Sequence, residues 1–179
     1  TDGRTDTESV TVNVIDSTPP SSQILVSGEI ERGVGESFTL TGQSSDNGGI
    51  AKEEWLVDGS IVQTENQSST SLTYSFDSAA DIGNHIITLR VYDLSGLTSE
   101  SNVTVQVLDT TSPITSPITG SKIINPGESV TFSITANDPE SSILKYEWDI
   151  DGSVDSNSNG ISDDDVDFNG SSITISYDT

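Results

Sequence analysis

The sequence predicts an all-β protein built of tandem β-sandwiches, and composition, alternation and internal repetition lead there. Ser and Thr make up roughly three residues in ten. Their hydroxyls compete for backbone hydrogen bonds inside helices, so they favour strands and turns. Hydrophobic residues are 31% of the 179, little for one large core but enough for small sandwiches that bury alternate positions.

The repeat is the strongest of the three signals. Gly35-Glu36-Ser37-Phe38-Thr39-Leu40 matches Gly127-Glu128-Ser129-Val130-Thr131-Phe132. Lys52-Glu53-Glu54-Trp55-Leu56-Val57-Asp58-Gly59 matches Lys145-Tyr146-Glu147-Trp148-Asp149-Ile150-Asp151-Gly152. Val10-Thr11-Val12-Asn13-Val14-Ile15-Asp16 matches Val103-Thr104-Val105-Gln106-Val107-Leu108-Asp109. Trp148 follows Trp55 by 93 residues (148 − 55), the same step as from Val10 to Val103. That spacing is the size of an immunoglobulin-like sandwich.

Within one repeat, period-two alternation marks the strands. Phe38 and Leu40 share a face. Glu53, Trp55 and Val57 share another around the Trp. Leu72, Tyr74 and Phe76 alternate with Thr and Ser. His85, Ile87, Leu89 and Val91 alternate with Ile86, Thr88, Arg90 and Tyr92, and Val103, Val105 and Val107 close the unit. No stretch sustains helical i, i+3, i+4 spacing.

Pro cannot continue a strand ladder, so Ser17-Thr18-Pro19-Pro20 and Thr110-Thr111-Ser112-Pro113 read as stiffened linkers. The expected organisation follows. Residues 1–16 are the last strand of a preceding repeat, and 17–22 a linker. Residues 21–109 are a complete sandwich, and 110–113 a second linker. Residues 114–179 are an incomplete sandwich with an acidic loop insertion at 149–169. The repeat phase gives that last unit no equivalent of Ile86–Val91 and no closing strand. Ile173, Ile175 and Trp148 are then expected to lack a facing sheet. A continuing chain would supply the missing strands, or a neighbour would insert its residues 8–16 as the last one.

At these residues the chain resembles polycystic-kidney-disease-type (PKD) repeats. Asp138-Pro139-Glu140, Tyr146-Glu147-Trp148-Asp149 and Asp151-Gly152 carry the resemblance. The first repeat departs from it: Ser45-Asp46-Asn47-Gly48 replaces the turn, and no Asp follows Trp55. The resemblance implies a seven-stranded, two-sheet extracellular module. Such modules serve as spacers, adhesion units, surface-layer building blocks or appendages of secreted hydrolases.

The net charge of −23 excludes whole classes of partner. A nucleic-acid binder needs clustered cations to neutralise phosphates. Here Arg4, Arg32, Lys52, Arg90, Lys122 and Lys145 are scattered. Anionic lipid is repelled for the same reason, and no run of about 18 apolar residues is available to insert into a membrane. There is no Cys, and His85 is the single histidine. A zinc site of the usual kind is therefore excluded. So is a Ser-His-Asp reading, since nothing in the sequence orients His85 against a nucleophile; its phase with Ile87 and Leu89 predicts packing instead. Trp55 and Trp148 fall at the core position of the third strand rather than on a sugar-stacking surface.

Cations are the natural complement of such a chain, and one loop has the pattern for calcium. Asp155-Ser156-Asn157-Ser158-Asn159-Gly160-Ile161-Ser162-Asp163 fits D-x-[DN]-x-[DN]-G. Hard oxygen ligands at positions 1, 3 and 5 would be Asp155, Asn157 and Asn159, with the Ile161 carbonyl at 7 and Asp163 at 9. Position 12 is Val166, not Glu, so Asp164, Asp165 or Asp167 would close the shell. The segment looks like the calcium loops of thrombospondin repeats or dockerins. Two neutral Asn ligands imply an affinity on the order of 0.1–1 mM. The competing explanation is a plain turn-rich insertion, which uses the same residue types. Three sequons, at Asn66, Asn102 and Asn169, are about as many as chance provides, and Asn66 and Asn169 fall in expected loops.

The functional expectation is a non-enzymatic, calcium-rigidified structural or adhesive module of an extracellular array: a surface layer, stalk or filament. Its partners would be neighbouring repeats, in a homo-assembly, with calcium and glycans. The alternative is a spacer or a carbohydrate- or protein-binding accessory module of a secreted hydrolase.

Overall fold

A computed structural model describes residues 2–26, 28–150, 158 and 166–176. The only helix among them is the 3₁₀ turn Ala79–Asp81. Two compact units divide the chain near residue 108.

The first unit is a sandwich of eight strand segments in two sheets. β1 (Ser21–Leu25), β3 (Phe38–Ser45) and β6 (Ser71–Tyr74) form one sheet in the order β1-β3-β6. β2 (Ile30–Gly33), β4 (Ile50–Val57), β5 (Ser60–Glu65), β7 (Gly83–Asp93) and β8 (Thr98–Leu108) form the other, in the order β2-β8-β7-β4-β5. Eight segments rather than seven arise because the first edge strand changes sheets. β1 pairs antiparallel with β3, and β2 pairs parallel with β8. That crossover covers the edges of both sheets with one stretch of chain.

The alternation in the sequence becomes two inward faces. β3 alternates buried and exposed at every residue. In β7, Ile87, Leu89, Val91 and Asp93 are buried, while Ile86 is exposed and Thr88, Arg90 and Tyr92 sit at partial depth. Phe38, Leu40, Trp55, Leu72 and Phe76 meet Ile87, Leu89, Val91, Val105 and Val107 in one core. β4 departs from simple alternation: Glu53 to Val57 are all buried, and among them Glu54 is engaged by Lys52, Tyr92 and Arg90.

The second unit is held by three two-stranded ladders among the described residues. β9 (Ile114–Thr115) pairs with β11 (Ala136–Asn137), β10 (Ser129–Ser133) with β14 (Ser172–Ser176), and β12 (Glu147–Trp148) with β13 (Phe168–Asn169). Local details of the first unit recur here. Phe38 faces Tyr74 and Leu40 faces Leu72, as Val130 faces Ile175 and Phe132 faces Ile173. The Thr39–Thr73 hydroxyl pair across β3 and β6 (2.9 Å) has its counterpart in Thr131–Thr174 (2.8 Å). The Glu36 carboxylate accepts from the Gly33 amide at 2.9 Å, and the Glu128 carboxylate from the Asn125 amide at 3.0 Å.

Ile173 and Ile175, expected from sequence to lack a facing sheet, are buried against Val130, Ile124, Phe132 and Trp148. Trp148 itself is half-buried and donates its indole N–H to the Gly170 carbonyl at 2.7 Å. Asn169 lies in β13 rather than in a loop. Residues 2–16 belong to no strand, although Val10, Val12 and Val14 alternate as a strand would. Val10 is 86% and Val14 93% exposed. A strand needs a ladder partner, and this stretch has none among the described residues.

Candidate functional site

Of the residues proposed from sequence as calcium ligands, Asp155, Asn157, Asn159, Ile161, Asp163, Asp164 and Asp165 lie outside the described residues. Asp167 is described. Its carboxylate accepts from the Ile150 amide at 2.9 Å, and its own amide donates to the Trp148 carbonyl at 2.9 Å. These two bonds tie the ends of the loop together at the β12–β13 ladder.

Three other carboxylate sites emerge from the fold. The first is Glu53, fully buried on β4. A buried carboxylate survives only when hydrogen bonds replace its hydration. Glu53 accepts from Ser44 Oγ, from the Ser69 amide (2.8 Å), from the Thr70 amide (2.9 Å) and from Thr70 Oγ1 (2.5 Å). Burial pushes its pKa up, and the Ser44, Thr70 and Ser69 hydrogen bonds together outweigh that, leaving it below the ordinary range. Thr70 Oγ1 also accepts from the Trp55 indole at 2.9 Å. The network locks the Trp strand to the turn before β6.

The second is a dyad. The Asp58 carboxylate lies 2.7 Å from His85 Nδ1 and accepts from the Ile86 amide at 2.9 Å. His85 Nε2 faces the Asp81 carbonyl at 2.6 Å, and the ring stacks on Phe76 with centroids 4.1 Å apart. His85 is thus packed, as its phase predicted, but it is also oriented, which the sequence did not reveal. Burial lowers its pKa, and the Asp58 and Asp81 oxygens outweigh burial to raise it. Both ring nitrogens are engaged by the protein's own oxygens, so the imidazole serves the β4–β7 corner.

The third brings together Asp16, Asp46 and Asp93. One carboxylate oxygen from each lies within 4.8 Å of the others. Asp16 ends the extended N-terminal stretch and accepts from the Thr18 amide at 3.0 Å. Asp46 follows β3, and its Oδ2 accepts from the amides of Gly48 (2.6 Å) and Gly49 (3.2 Å). Asp93 ends β7, and its Oδ1 accepts from the amides of Ser95 and Leu97, both at 2.8 Å, capping the β7–β8 hairpin. Asp93 is only 2% exposed. Asp16 Oδ2 and Asp93 Oδ2 are both buried without a hydrogen-bond partner. Two unit charges about 4 Å apart repel by about 1 kcal/mol even at the dielectric of water, and by more where water is excluded. Chemically this is an all-oxygen set suited to a hard cation. The sequence signals that locate it were the Asp closing each Val-x-Val strand and the Ser45-Asp46-Asn47-Gly48 turn. Nothing in a linear reading adds Asp93 to them, because the hairpin that delivers it is a tertiary feature.

Residues 17–89 match the family profile described as Bacterial Ig domain. The matched span contains Asp46, Glu53, Asp58 and His85, and it ends inside β7. No curated protein matches the chain. Among solved structures, the fibronectin(III)-like modules of Clostridium thermocellum CbhA align over 51% of this chain and 47% of theirs, with 20% identity and a TM-score of 0.43. Dimeric latent PorU from Porphyromonas gingivalis aligns over 69% of this chain and 13% of its own, with 18% identity and a TM-score of 0.37. The chain therefore spans about half the length of the first of these structures and a small part of the second. The fold is an immunoglobulin-like β-sandwich of the kind found in bacterial proteins. No helix among the described residues is long and apolar enough to cross a membrane.

Proposed function

We propose that this chain is a non-catalytic structural or adhesive module of a bacterial extracellular array, built of PKD-type immunoglobulin-like repeats and stiffened by calcium. The observation that carries the reading is what the ionisable groups of the first unit do. Glu53 and the Asp58–His85 pair point inward or along the strands and bind the protein's own amides, hydroxyls and carbonyls. They hold elements together rather than face a substrate-sized cleft. The match of residues 17–89 to a Bacterial Ig domain profile supports the same reading.

The acidic loop that Asp167 closes adds a calcium site of the extracellular class, with Asp155, Asn157, Asn159, the Ile161 carbonyl, Asp163 and Asp165 as its remaining ligands. Neighbouring repeats of the same protein are its partners in a homo-assembly. Exposed Asn66 offers a place for a glycan.

The test has two arms. Antibody raised against the chain should label intact source cells without permeabilisation. A panel of ester, glycoside, phosphoester and peptide substrates should show no turnover. Labelling only after permeabilisation, or turnover abolished by His85→Gln or Glu53→Gln in a still-folded protein, would overturn the proposal.

A further inference from the structure

We infer that Asp16, Asp46 and Asp93 bind a calcium ion that fastens the segment before the sandwich to its two loops. The site is distinct from the 155–167 loop in sequence and in ligands, and it stands or falls independently of that loop.

Proximity of three acids would not be enough. The second observation is the pair of orphaned oxygens. Asp93 is almost wholly buried, its Oδ1 is used by the Ser95 and Leu97 amides, and its Oδ2 has no donor. Asp16 Oδ2 is in the same condition. Buried polar atoms find partners in nearly every native protein, and an exception calls for a missing ion or water. A protein cation does not fill the role. In this unit Lys52 pairs with Glu54, Arg90 with Glu54 and Glu100, and Arg4 with Asp2. Oxygen-only donors from three carboxylates, with no nitrogen or sulfur, suit a hard cation such as calcium rather than zinc or copper. Asp16 and Asp46 are each half-buried, which leaves room for water to complete a shell of six to eight oxygens.

Recurrence strengthens the case. The Thr111 amide donates to Asp109 Oδ1 at 3.2 Å, repeating Thr18 to Asp16 93 residues on (109 − 16). The amides of Glu140 and Ser141 donate to Asp138 Oδ1 at 2.9 and 3.1 Å, repeating Gly48 and Gly49 to Asp46 92 residues on (138 − 46). Asp109, Asp138 and Ser141 line one surface pocket of the second unit. Two of the three carboxylates, each pre-oriented by its own backbone turn, thus appear again at the next linker. A turn that merely needed capping would not bring the Asp before the linker back with it.

Gly48 belongs to the same design. A Cβ there would stand 2.6 Å from Asp16 Oδ2 and 3.2 Å from Asp46 Oδ2. Any side chain at 48 would displace the Asp16 carboxylate from the cluster.

The test uses residues 1–179, stripped with a chelator and titrated with calcium chloride while backbone amide resonances are followed. Saturable shifts are expected at Thr18, Gly48, Gly49, Ser95 and Leu97, with rising order in residues 14–18. Asp93→Asn keeps an oxygen to accept from Ser95 and Leu97, so it should fold, and it should weaken binding at these amides at least tenfold. Gly48→Ala removes no ligand and should weaken it as well. Asp155→Ala should leave all five shifts intact, which separates this site from the acidic loop. Shifts confined to residues 149–169, no saturation by 10 mM calcium, or wild-type binding in Asp93→Asn would each overturn the inference.

Discussion

At the scale of single residues, Glu53 shows how a charge can specify a sandwich interior. The alternation of β4 placed its side chain on the same face as Trp55, where an apolar residue was the natural choice. The structure satisfies the charge with two amides and two hydroxyls. Glu53→Gln replaces one accepting oxygen with an NH₂, so two donors lose their acceptor and face a third. A cost of about 2–4 kcal/mol is expected in urea unfolding, from the lost charge-assisted bonds and the orphaned donors. The sign of the pH dependence follows from the lowered pKa. The native carboxyl holds its proton more weakly than the unfolded one, whose value is about 4.3. Its contribution is complete above that value and is lost as pH falls through the lower native value. The stability gap between wild type and variant should therefore be constant from pH 6 to 8 and shrink in acid. A gap that widened in acid would show the carboxyl to be protonated in the native state.

At the scale of elements, the strands were legible because each buries alternate residues against a single core, and β3, β7 and β8 follow that pattern closely. The edge segment β1–β2 was not, because its change of sheet depends on partners remote in sequence. The segment 8–16 alternates as a strand would, and no ladder forms there among the described residues. Of the three clustered carboxylates, Asp46 was legible as a turn residue and Asp16 as the end of a Val-x-Val run, but their convergence with Asp93 depends on where β3 and β7 end. Gly42 illustrates a constraint that no pattern could show. It sits mid-strand in β3, its amide bonded to the Thr70 carbonyl at 2.8 Å. A Cβ there would lie 2.7 Å from Leu89 Cδ2 and 3.1 Å from both the Thr70 carbonyl and the Trp55 ring. Gly42→Ala should destabilise the sandwich by about 1–3 kcal/mol through overpacking, against the usual gain from replacing a strand glycine. A urea midpoint at or above that of wild type would mean that Trp55 and Leu89 can move apart at no cost.

At the scale of the whole molecule, the two units differ in how much core each one owns. Among the described residues, twelve buried apolar side chains pack together in the first, with five more at partial depth; three are buried in the second, supported by Ile124, Phe132 and Trp148. Burying one such side chain is worth about 1.5–3 kcal/mol, while the ordering cost per residue is similar in both units. Ile118, Phe132, Trp148, Ile150, Ile173 and Ile175 line an open cleft in the second unit. The second unit should therefore open first. Amide exchange at Ile173–Ile175 is expected to be at least a hundredfold faster than at Ile87–Val91, and unfolding should show two transitions rather than one. A polypeptide of residues 1–108 should reproduce the more stable transition with its urea midpoint unchanged, since its core draws on no residue after Val107 and it keeps Asp16, Asp46 and Asp93. Equal protection in both units, joined in one cooperative transition, would show that the second unit draws stability from contacts outside its own small core.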